Sequence, residues 1–118
     1  MAVTIYHNLR CSKSRQTLEL ITESGAAHSI VLYRDDAPDA DTIVGLAQKL
    51  GLSVADLLRR GESEFKQATD LPGLEDNSAL AQWLSVHQIV LERPIVVHDA
   101  SGKAVIGRPP ENVLRLLS

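Results

Sequence analysis

The sequence is poor in thiols and has no long hydrophobic run. Cys11 is the only cysteine among 118 residues, so no disulfide can form within the chain, and we expect a reducing, cytoplasmic setting. No run of about 18 apolar residues is present, which argues against a membrane-spanning helix. Residues 1–6 lack a basic start followed by a long apolar region, so we expect no signal peptide.

Basic residues are also too few for a general nucleic-acid binder. Lysine and arginine total 12 against 15 aspartates and glutamates, a net charge of −3 at pH 7, whereas nucleic-acid binders usually carry a basic excess. The hydrophobic fraction of 44% and the charged fraction of 23% are ordinary for a folded domain. We therefore expect one domain over residues 1–118, with no nucleic-acid or membrane partner.

The first third of the chain predicts a strand, a helix and a second strand. Residues 3–6 alternate and are rich in β-formers. Residues from about 14 to 24 have a helical apolar stripe, and Gly25 stands where a helix commonly stops. Residues 30–33 form a short apolar run that predicts the second strand. This unit has the size of a βαβ crossover.

The middle of the chain, from about residue 41 to residue 88, predicts only helices. A helical stripe over 43–50 has Asp39 or Asp41 as its cap and Gly51 as its stop. Residues 53–56 resemble a capping box that opens a further short helix, and residues 62–68 predict one or two more turns. Leu80, Trp83, Leu84 and His87 mark the last helix of this segment.

The last quarter predicts a hairpin and a closing helix. Residues 95–97 and 103–106 read as strands joined by a loop with turn chemistry. Pro110 suits a first helical position, with Val113, Leu114 and Leu117 facing the core. The whole order is that of an α/β, thioredoxin- or glutaredoxin-like domain, with a mixed four-stranded sheet and a helical segment inserted at about 41–88. The order by itself is also compatible with other α/β folds.

Cys11 lies between the first predicted strand and the first predicted helix. Free backbone N–H groups and the positive end of the helix dipole lower a thiol's pKa at such a position. A lone cysteine is more often a small buried hydrophobe, but its neighbours here are polar or basic. These polar and basic neighbours favour a nucleophile inside an anion-binding loop. The neighbours are Arg10, Ser12, Lys13, Ser14 and Arg15.

A single thiol cannot complete a two-electron reduction through a disulfide within the chain. Ser14 stands where a Cys-x-x-Cys motif would place its second cysteine. Any redox cycle must therefore borrow a thiol from another molecule, such as glutathione or a partner redoxin.

Four segments in order resemble the glutaredoxin-coupled, glutathione-dependent arsenate reductases of the thioredoxin-like fold. They are the Cys-Ser-Lys-Ser-Arg loop at residues 7–15, the Leu-Leu-Arg-Arg stretch at 57–60, the Arg-Pro-Ile-Val-Val strand at 92–97 and the Arg-Pro segment at 106–111. The loop departs from the family's usual Gly-Thr-Ser after the cysteine, because this chain has Ser12, Lys13 and Ser14 there.

The resemblance implies a role for each matching residue. Cys11 would be the nucleophile, Pro94 the cis-proline, and Ser14 the best candidate for a direct bond to the sulfur. The oxyanion would be held by three arginines, namely Arg59, Arg93 and Arg108. The loop would be shaped by His7, Asn8, Ser14 and Arg15. Only the resemblance selects Arg59 over Arg60, since either could instead cap a helix end.

The resemblance also implies the reaction and its partners. Arsenate would be reduced to arsenite, glutathione would be the co-substrate, and glutaredoxin would clear the mixed disulfide. No bound cofactor is implied, and no metal, since the histidines are scattered along the chain. Two alternatives stay open: a thiol-switch regulator that binds RNA polymerase, and a glutathione-linked oxidoreductase acting on another oxyanion or on a mixed disulfide.

Overall fold

A computed structural model of the chain describes residues 2–117, which form two compact units. The sheet unit comprises residues 2–36 and 93–117, and the helical unit comprises Ala37–Glu92. The helical unit is the inserted segment, and it extends a few residues beyond each end of the predicted 41–88. No helix among residues 2–117 is long and apolar enough to cross a membrane.

The sheet unit contains a mixed four-stranded sheet in the order β2-β1-β3-β4. Its strands are β1 (Ala2–His7), β2 (Ala27–Leu32), β3 (Ile95–His98) and β4 (Ala104–Ile106). β1 pairs parallel with β2, and β3 pairs antiparallel with both β1 and β4. The predicted thioredoxin-like α/β fold is confirmed, with its mixed four-stranded sheet, its parallel pair of strands and its hairpin.

Helix α1 (Ser12–Ser24) crosses from β1 to β2 and covers the sheet. Its buried positions, Ser14, Thr17 and Ile21, recur every three or four residues and so share one face. Gly25 ends the helix as predicted, because its φ of 78° is a left-handed conformation that glycine adopts without steric cost. The core cluster below this face consists of Val3, Ile5, Ile21, Val96, Val113 and Leu116.

The closing helix differs from the prediction at one core position. It starts as a 3₁₀ helix (Pro110–Val113), with Pro110 in its first turn, and continues as α5 (Leu114–Leu117). Val113 is fully buried and Leu117 packs against the core, but Leu114 is 47% exposed and Leu116 is buried instead. The prediction for Leu114 was wrong because a 3₁₀ turn has three residues rather than 3.6, which changes the face that follows.

The helical unit has three α-helices: α2 (Ala40–Leu50), α3 (Ser63–Lys66) and α4 (Asn77–Ser85). Asp39 caps α2 by accepting a 2.8 Å hydrogen bond from the Thr42 N–H. The capping box of Ser53 and Asp56 opens a 3₁₀ helix (Val54–Leu57). Both capping predictions are confirmed, and Gly51 ends α2 as expected.

The end of the helical unit differs from the prediction, which placed His87 in the last helix. His87 lies beyond the end of α4, where its ring stacks on Trp83 with 4.1 Å between the ring centroids. A 3₁₀ helix (Gln88–Val90), which the sequence did not predict, follows directly. The core of this unit is built from Ile43, Leu46, Leu57, Leu80 and Leu84.

Gly107, directly after β4, lies close against α1 and Pro94. A Cβ placed there would lie 2.7 Å from Cγ of Pro94 and would also overlap the Thr17 side chain of α1. The Thr17 hydroxyl group already donates to the carbonyl oxygen of Lys13 at 2.8 Å. Neither a threonine rooted in a helix nor a proline ring moves aside easily, so this position has room only for glycine.

We expect Gly107→Ala to lower the free energy of unfolding by about 1–3 kcal/mol, the usual effect of overpacking. The matched control is Gly45→Ala in α2, where an added Cβ meets nothing within 4 Å and alanine gains up to about 1 kcal/mol of helix propensity. Urea unfolding followed by circular dichroism measures both variants. An unchanged midpoint for Gly107→Ala would contradict the predicted overlap.

Candidate active site

Cys11 caps the N-terminus of α1 at the turn that follows β1. Its backbone is extended (φ −93°, ψ 121°), and its carbonyl oxygen accepts the first helical hydrogen bond from the Arg15 N–H at 3.0 Å. Its own N–H donates to the carbonyl oxygen of Asn8 at 3.1 Å. These bonds hold the half-buried sulfur at the helix start, where the dipole and the free N–H groups favour a negative charge.

Asn8 organises the turn that carries Cys11. Its side-chain oxygen accepts the Arg10 N–H at 2.9 Å, and its side-chain nitrogen donates to the Tyr33 hydroxyl at 3.4 Å. Its backbone N–H donates to the Ser14 hydroxyl at 3.1 Å. Asn8 is 5% exposed, so these bonds satisfy a polar group that would otherwise be costly to bury.

Ser14 and His7 form a buried polar pair beneath the turn. The Ser14 hydroxyl oxygen lies 2.6 Å from Nδ1 of His7, whereas the backbone N–H of Ser14 is the group that lowers the pKa of Cys11. Ser14 therefore acts on the thiol through its main chain, and its hydroxyl group supports the loop. Burial and then the positive charge of Arg15 lower the pKa of His7, which favours a neutral ring.

Arg15 fastens the outside of the turn. Its Nη1 donates to the carbonyl oxygen of Leu9 at 3.0 Å. His7, Asn8, Ser14 and Arg15 are thus brought together around the turn, as the resemblance implies.

Two of the three predicted arginines reach the sulfur within the sheet unit. Nη2 of Arg108 donates to the Cys11 sulfur at 3.2 Å, and Nε of Arg108 donates to the carbonyl oxygen of Arg93 at 2.8 Å. Arg93, which is 7% exposed, also donates a side-chain hydrogen bond to the sulfur. Because Arg108 bonds the main chain of Arg93, its guanidinium is fixed to the segment that carries the other cation.

Cis peptide bonds and hydrogen bonds from Asn112 define the backbone of the segments that carry these arginines. The Arg93–Pro94 peptide bond is cis, as the resemblance implies, and so is Arg108–Pro109, which was not predicted. The Asn112 side chain donates to the carbonyl oxygens of Ile106 and Arg108, at 3.2 and 3.1 Å. Asn112 is a supporting residue that the sequence analysis missed.

The pKa of Cys11 is lowered from its ordinary value by groups that outweigh its burial. Burial is the largest single influence, and it raises the pKa of the thiol. The Ser14 N–H, the charge of Arg108, and the hydrogen bond and charge of Arg93 all lower this pKa. The net direction is downward, so the thiolate, which is the nucleophilic form, is favoured.

Tyr33 is a buried neighbour of the site that the sequence analysis treated only as part of a strand. Its hydroxyl accepts the hydrogen bond from Asn8, and its side chain is fully buried. Burial raises the pKa of Tyr33, the charge of Arg93 opposes that effect, and the charge of Cys11 adds to it. The signal that could have identified it is its place at the carboxyl end of β2, next to the parallel strand that leads to Cys11.

Arg59 belongs to the helical unit. Its Nη1 lies 3.0 Å from Oε1 of Glu92, and the two side chains are 27% and 22% exposed. Its backbone N–H donates to the carbonyl oxygen of Val90 at 2.7 Å. Arg60, in contrast, is exposed. The role of Arg59 toward an oxyanion stays a prediction.

We expect Arg108→Ala to raise the pH at which iodoacetamide alkylation of Cys11 reaches half its maximal rate. The variant removes both a hydrogen bond and a positive charge from the sulfur, so the pKa of Cys11 should rise. The matched control is Lys13→Ala, since Lys13 is exposed and close in sequence but does not contribute to this pKa. Identical alkylation profiles for the wild type and Arg108→Ala would contradict this assignment.

Comparison with known proteins identifies the family of the chain. Residues 6–116 match the ArsC family. An arsenate reductase of Neisseria meningitidis serogroup B is 43% identical over 117 residues, covering 98% of this chain and 97% of that protein. Escherichia coli K12 YfgD, named an uncharacterized protein, is 44% identical over 98% of this chain and 96% of its own. The solved arsenate reductase from Vibrio cholerae is 38% identical and superposes with a TM-score of 0.86 over 98% of both chains. The chain therefore belongs to the ArsC family.

Proposed function

We propose that this protein reduces arsenate to arsenite through Cys11, with glutathione and glutaredoxin as the source of electrons. The observation that carries the proposal is the 3.2 Å contact between the Arg108 guanidinium and the Cys11 sulfur at the start of α1. A thiolate beside a fixed cation can attack an oxyanion that the same cation helps to bind. The relatives from Neisseria meningitidis and Vibrio cholerae are named arsenate reductases, which supports the same substrate.

The site chemistry suits a tetrahedral oxyanion. Arginine's planar fork makes two parallel charge-assisted hydrogen bonds to oxygen atoms of such anions. Arg93 and Arg108 offer that fork beside the sulfur, and the start of α1 adds backbone N–H groups. In the proposal Arg59 is the third arginine that binds the oxyanion.

The electrons balance with thiols alone. The Cys11 thiolate attacks arsenic, a sulfur–arsenic bond forms, and one arsenate oxygen leaves as water after protonation. Glutathione thiolate then attacks the Cys11 sulfur, so a disulfide forms, the sulfur–arsenic bond breaks and its electron pair stays on arsenic. Arsenic(V) becomes arsenic(III), and glutaredoxin takes the glutathionyl group from Cys11 by thiol–disulfide exchange.

This cycle has two consequences for the protein's setting. Because Cys11 is the only cysteine, the second thiol has to come from another molecule, and the proposal places the protein in the reducing cytoplasm where glutathione is abundant. Because the thiols supply both electrons, no bound cofactor or metal takes part. Ser14 in place of a second cysteine weighs against a regulator that switches through an internal disulfide.

We expect Cys11→Ser to abolish arsenate-dependent NADPH oxidation in an assay coupled through glutathione, glutaredoxin and glutathione reductase. A hydroxyl group is a far weaker nucleophile than a thiolate, and serine cannot form the mixed disulfide. Ser12→Ala, which removes a hydroxyl from the exposed neighbouring position, is the control. Full turnover by Cys11→Ser would refute the mechanism, whereas a reactive Cys11 without arsenate turnover would favour another oxyanion or the regulatory alternative.

We expect Arg59→Ala to raise the KM for arsenate about tenfold, the size expected for loss of a charge-assisted hydrogen bond. Arg60→Ala is the matched control, because Arg60 is the exposed neighbour of the half-buried Arg59. Steady-state kinetics with arsenate varied at saturating glutathione separates the two variants. A larger effect of Arg60→Ala would assign the third arginine to that residue instead.

A further inference from the structure

A cavity of about 300 Å³ opens beside the Cys11 turn within the sheet unit. Its wall consists of residues 7–10, which follow β1, and of Leu32, Arg34 and Asp35, at the end of β2. β1 and β2 are parallel neighbours, and ligands of α/β proteins commonly bind in the crevice outside the carboxyl ends of such strands. The volume is at the lower end of the usual range for small-molecule sites.

The inner wall of the cavity is rigid and polar. His7 is 1% exposed and Asn8 is 5% exposed. Both are fixed by hydrogen bonds, His7 to the Ser14 hydroxyl and Asn8 to Tyr33 and the Arg10 N–H. A wall whose polar groups are already oriented loses little entropy when a ligand binds.

The rim of the cavity carries charges of both signs. Arg10, Arg34 and Asp35 are exposed, and none of their three side chains makes a hydrogen bond or ion pair with another of residues 2–117. The backbone N–H of Asp35 donates to the carbonyl oxygen of Leu32 at 2.9 Å, which holds this residue in a turn at the rim. Two cations and one anion remain available for a ligand.

This pattern of charge selects the chemistry of the ligand. A simple oxyanion would gain from the arginines but would be repelled by the Asp35 carboxylate. An α-amino acid group carries a carboxylate and an ammonium side by side, so it can pair with Arg10 or Arg34 and with Asp35 at once. A bare carboxylate, such as the glycine end of glutathione, lacks the positive charge that Asp35 would pair with.

We propose that this cavity binds the γ-glutamyl end of glutathione, with its α-carboxylate at the Arg10 and Arg34 rim and its α-ammonium at Asp35. The inference rests on the proposed function, in which glutathione attacks the Cys11 sulfur. The cavity wall and the nucleophile share one turn, since Asn8 accepts the Cys11 N–H and Arg10 directly precedes Cys11. A tripeptide anchored there by one end keeps its thiol next to that turn.

The direct test is a binding titration with S-methylglutathione, which cannot donate electrons, followed by two-dimensional NMR. We expect shifts at residues 7–10 and 32–35, and affinity about fivefold weaker in Asp35→Asn and in Arg34→Ala, as for partly exposed charge pairs. Asp36→Asn is the matched control, because Asp36 is the exposed neighbour that does not line the cavity. Shifts elsewhere, or equal weakening by Asp36→Asn, would overturn the proposal.

A modified ligand tests the orientation. N-acetyl-S-methylglutathione lacks the ammonium charge, so it should bind the wild type about fivefold more weakly and be insensitive to Asp35→Asn. The ethyl ester of the glycine carboxylate should bind as S-methylglutathione does. The opposite pattern, in which the ester binds weakly and the acetyl derivative normally, would overturn the assignment of the γ-glutamyl end.

Kinetics separate this proposal from the reaction on which it rests. In the coupled assay, Arg34→Ala and Asp35→Asn should raise the KM for glutathione about fivefold and leave the KM for arsenate unchanged. Arsenate-dependent turnover with an unchanged KM for glutathione in both variants would overturn the cavity assignment alone. If the wild type shows no arsenate turnover but S-methylglutathione still binds at residues 32–35, the proposed arsenate reaction is wrong and the cavity is supported as a binding site.

Discussion

The contact between the Arg108 guanidinium and the Cys11 sulfur joins the two ends of the chain at the site. Residues 97 positions apart meet there at 3.2 Å, because β1 and the β3–β4 hairpin lie in one sheet. Nε of Arg108 in turn donates to the main-chain carbonyl oxygen of Arg93, so the Arg108 side chain is fixed to the segment that carries the second cation. The low pKa of the thiol is therefore a property of the assembled sheet unit rather than of the loop alone.

Most of the fold could be predicted from residues that act on their immediate neighbours in the chain. Gly25 and Gly51 end helices, Asp39 caps one, and each effect acts within a few residues, so the sequence pattern identifies it. The closing helix shows the limit of this reasoning, because Leu116 is buried where the prediction had Leu114. A 3₁₀ turn at Pro110 alters the helical phase, and periodicity alone does not distinguish a 3₁₀ turn from the start of an α-helix.

The sequence predicted only part of the site, because its residues come from distant parts of the chain. The position of Cys11 follows from local chemistry, but the residues that approach it from afar were identified through the resemblance, because nothing local marks Arg93 or Arg108 as neighbours of a thiol. Tyr33 was missed since a tyrosine at the end of an apolar strand looks like core. Ser14 was named as a partner of the sulfur without a choice between its hydroxyl group and its main-chain N–H, and it is the main-chain N–H that lowers the pKa of the thiol.

The distribution of buried polar side chains explains why the turn is both costly and stable. Within residues 2–117, the buried polar or charged side chains are His7, Asn8, Ser14, Thr17 and Arg93. All five surround Cys11 or the Gly107 contact, and the side chains of His7, Asn8, Ser14 and Thr17 are hydrogen-bonded, which offsets the cost of removing them from water. Replacing this network by apolar side chains would make a simpler core, but it would remove the Arg93 guanidinium from the thiolate and the hydrogen bonds of His7, Asn8 and Ser14 that hold the turn. The sheet unit thus confines its buried polarity to the one place where a negative sulfur needs it.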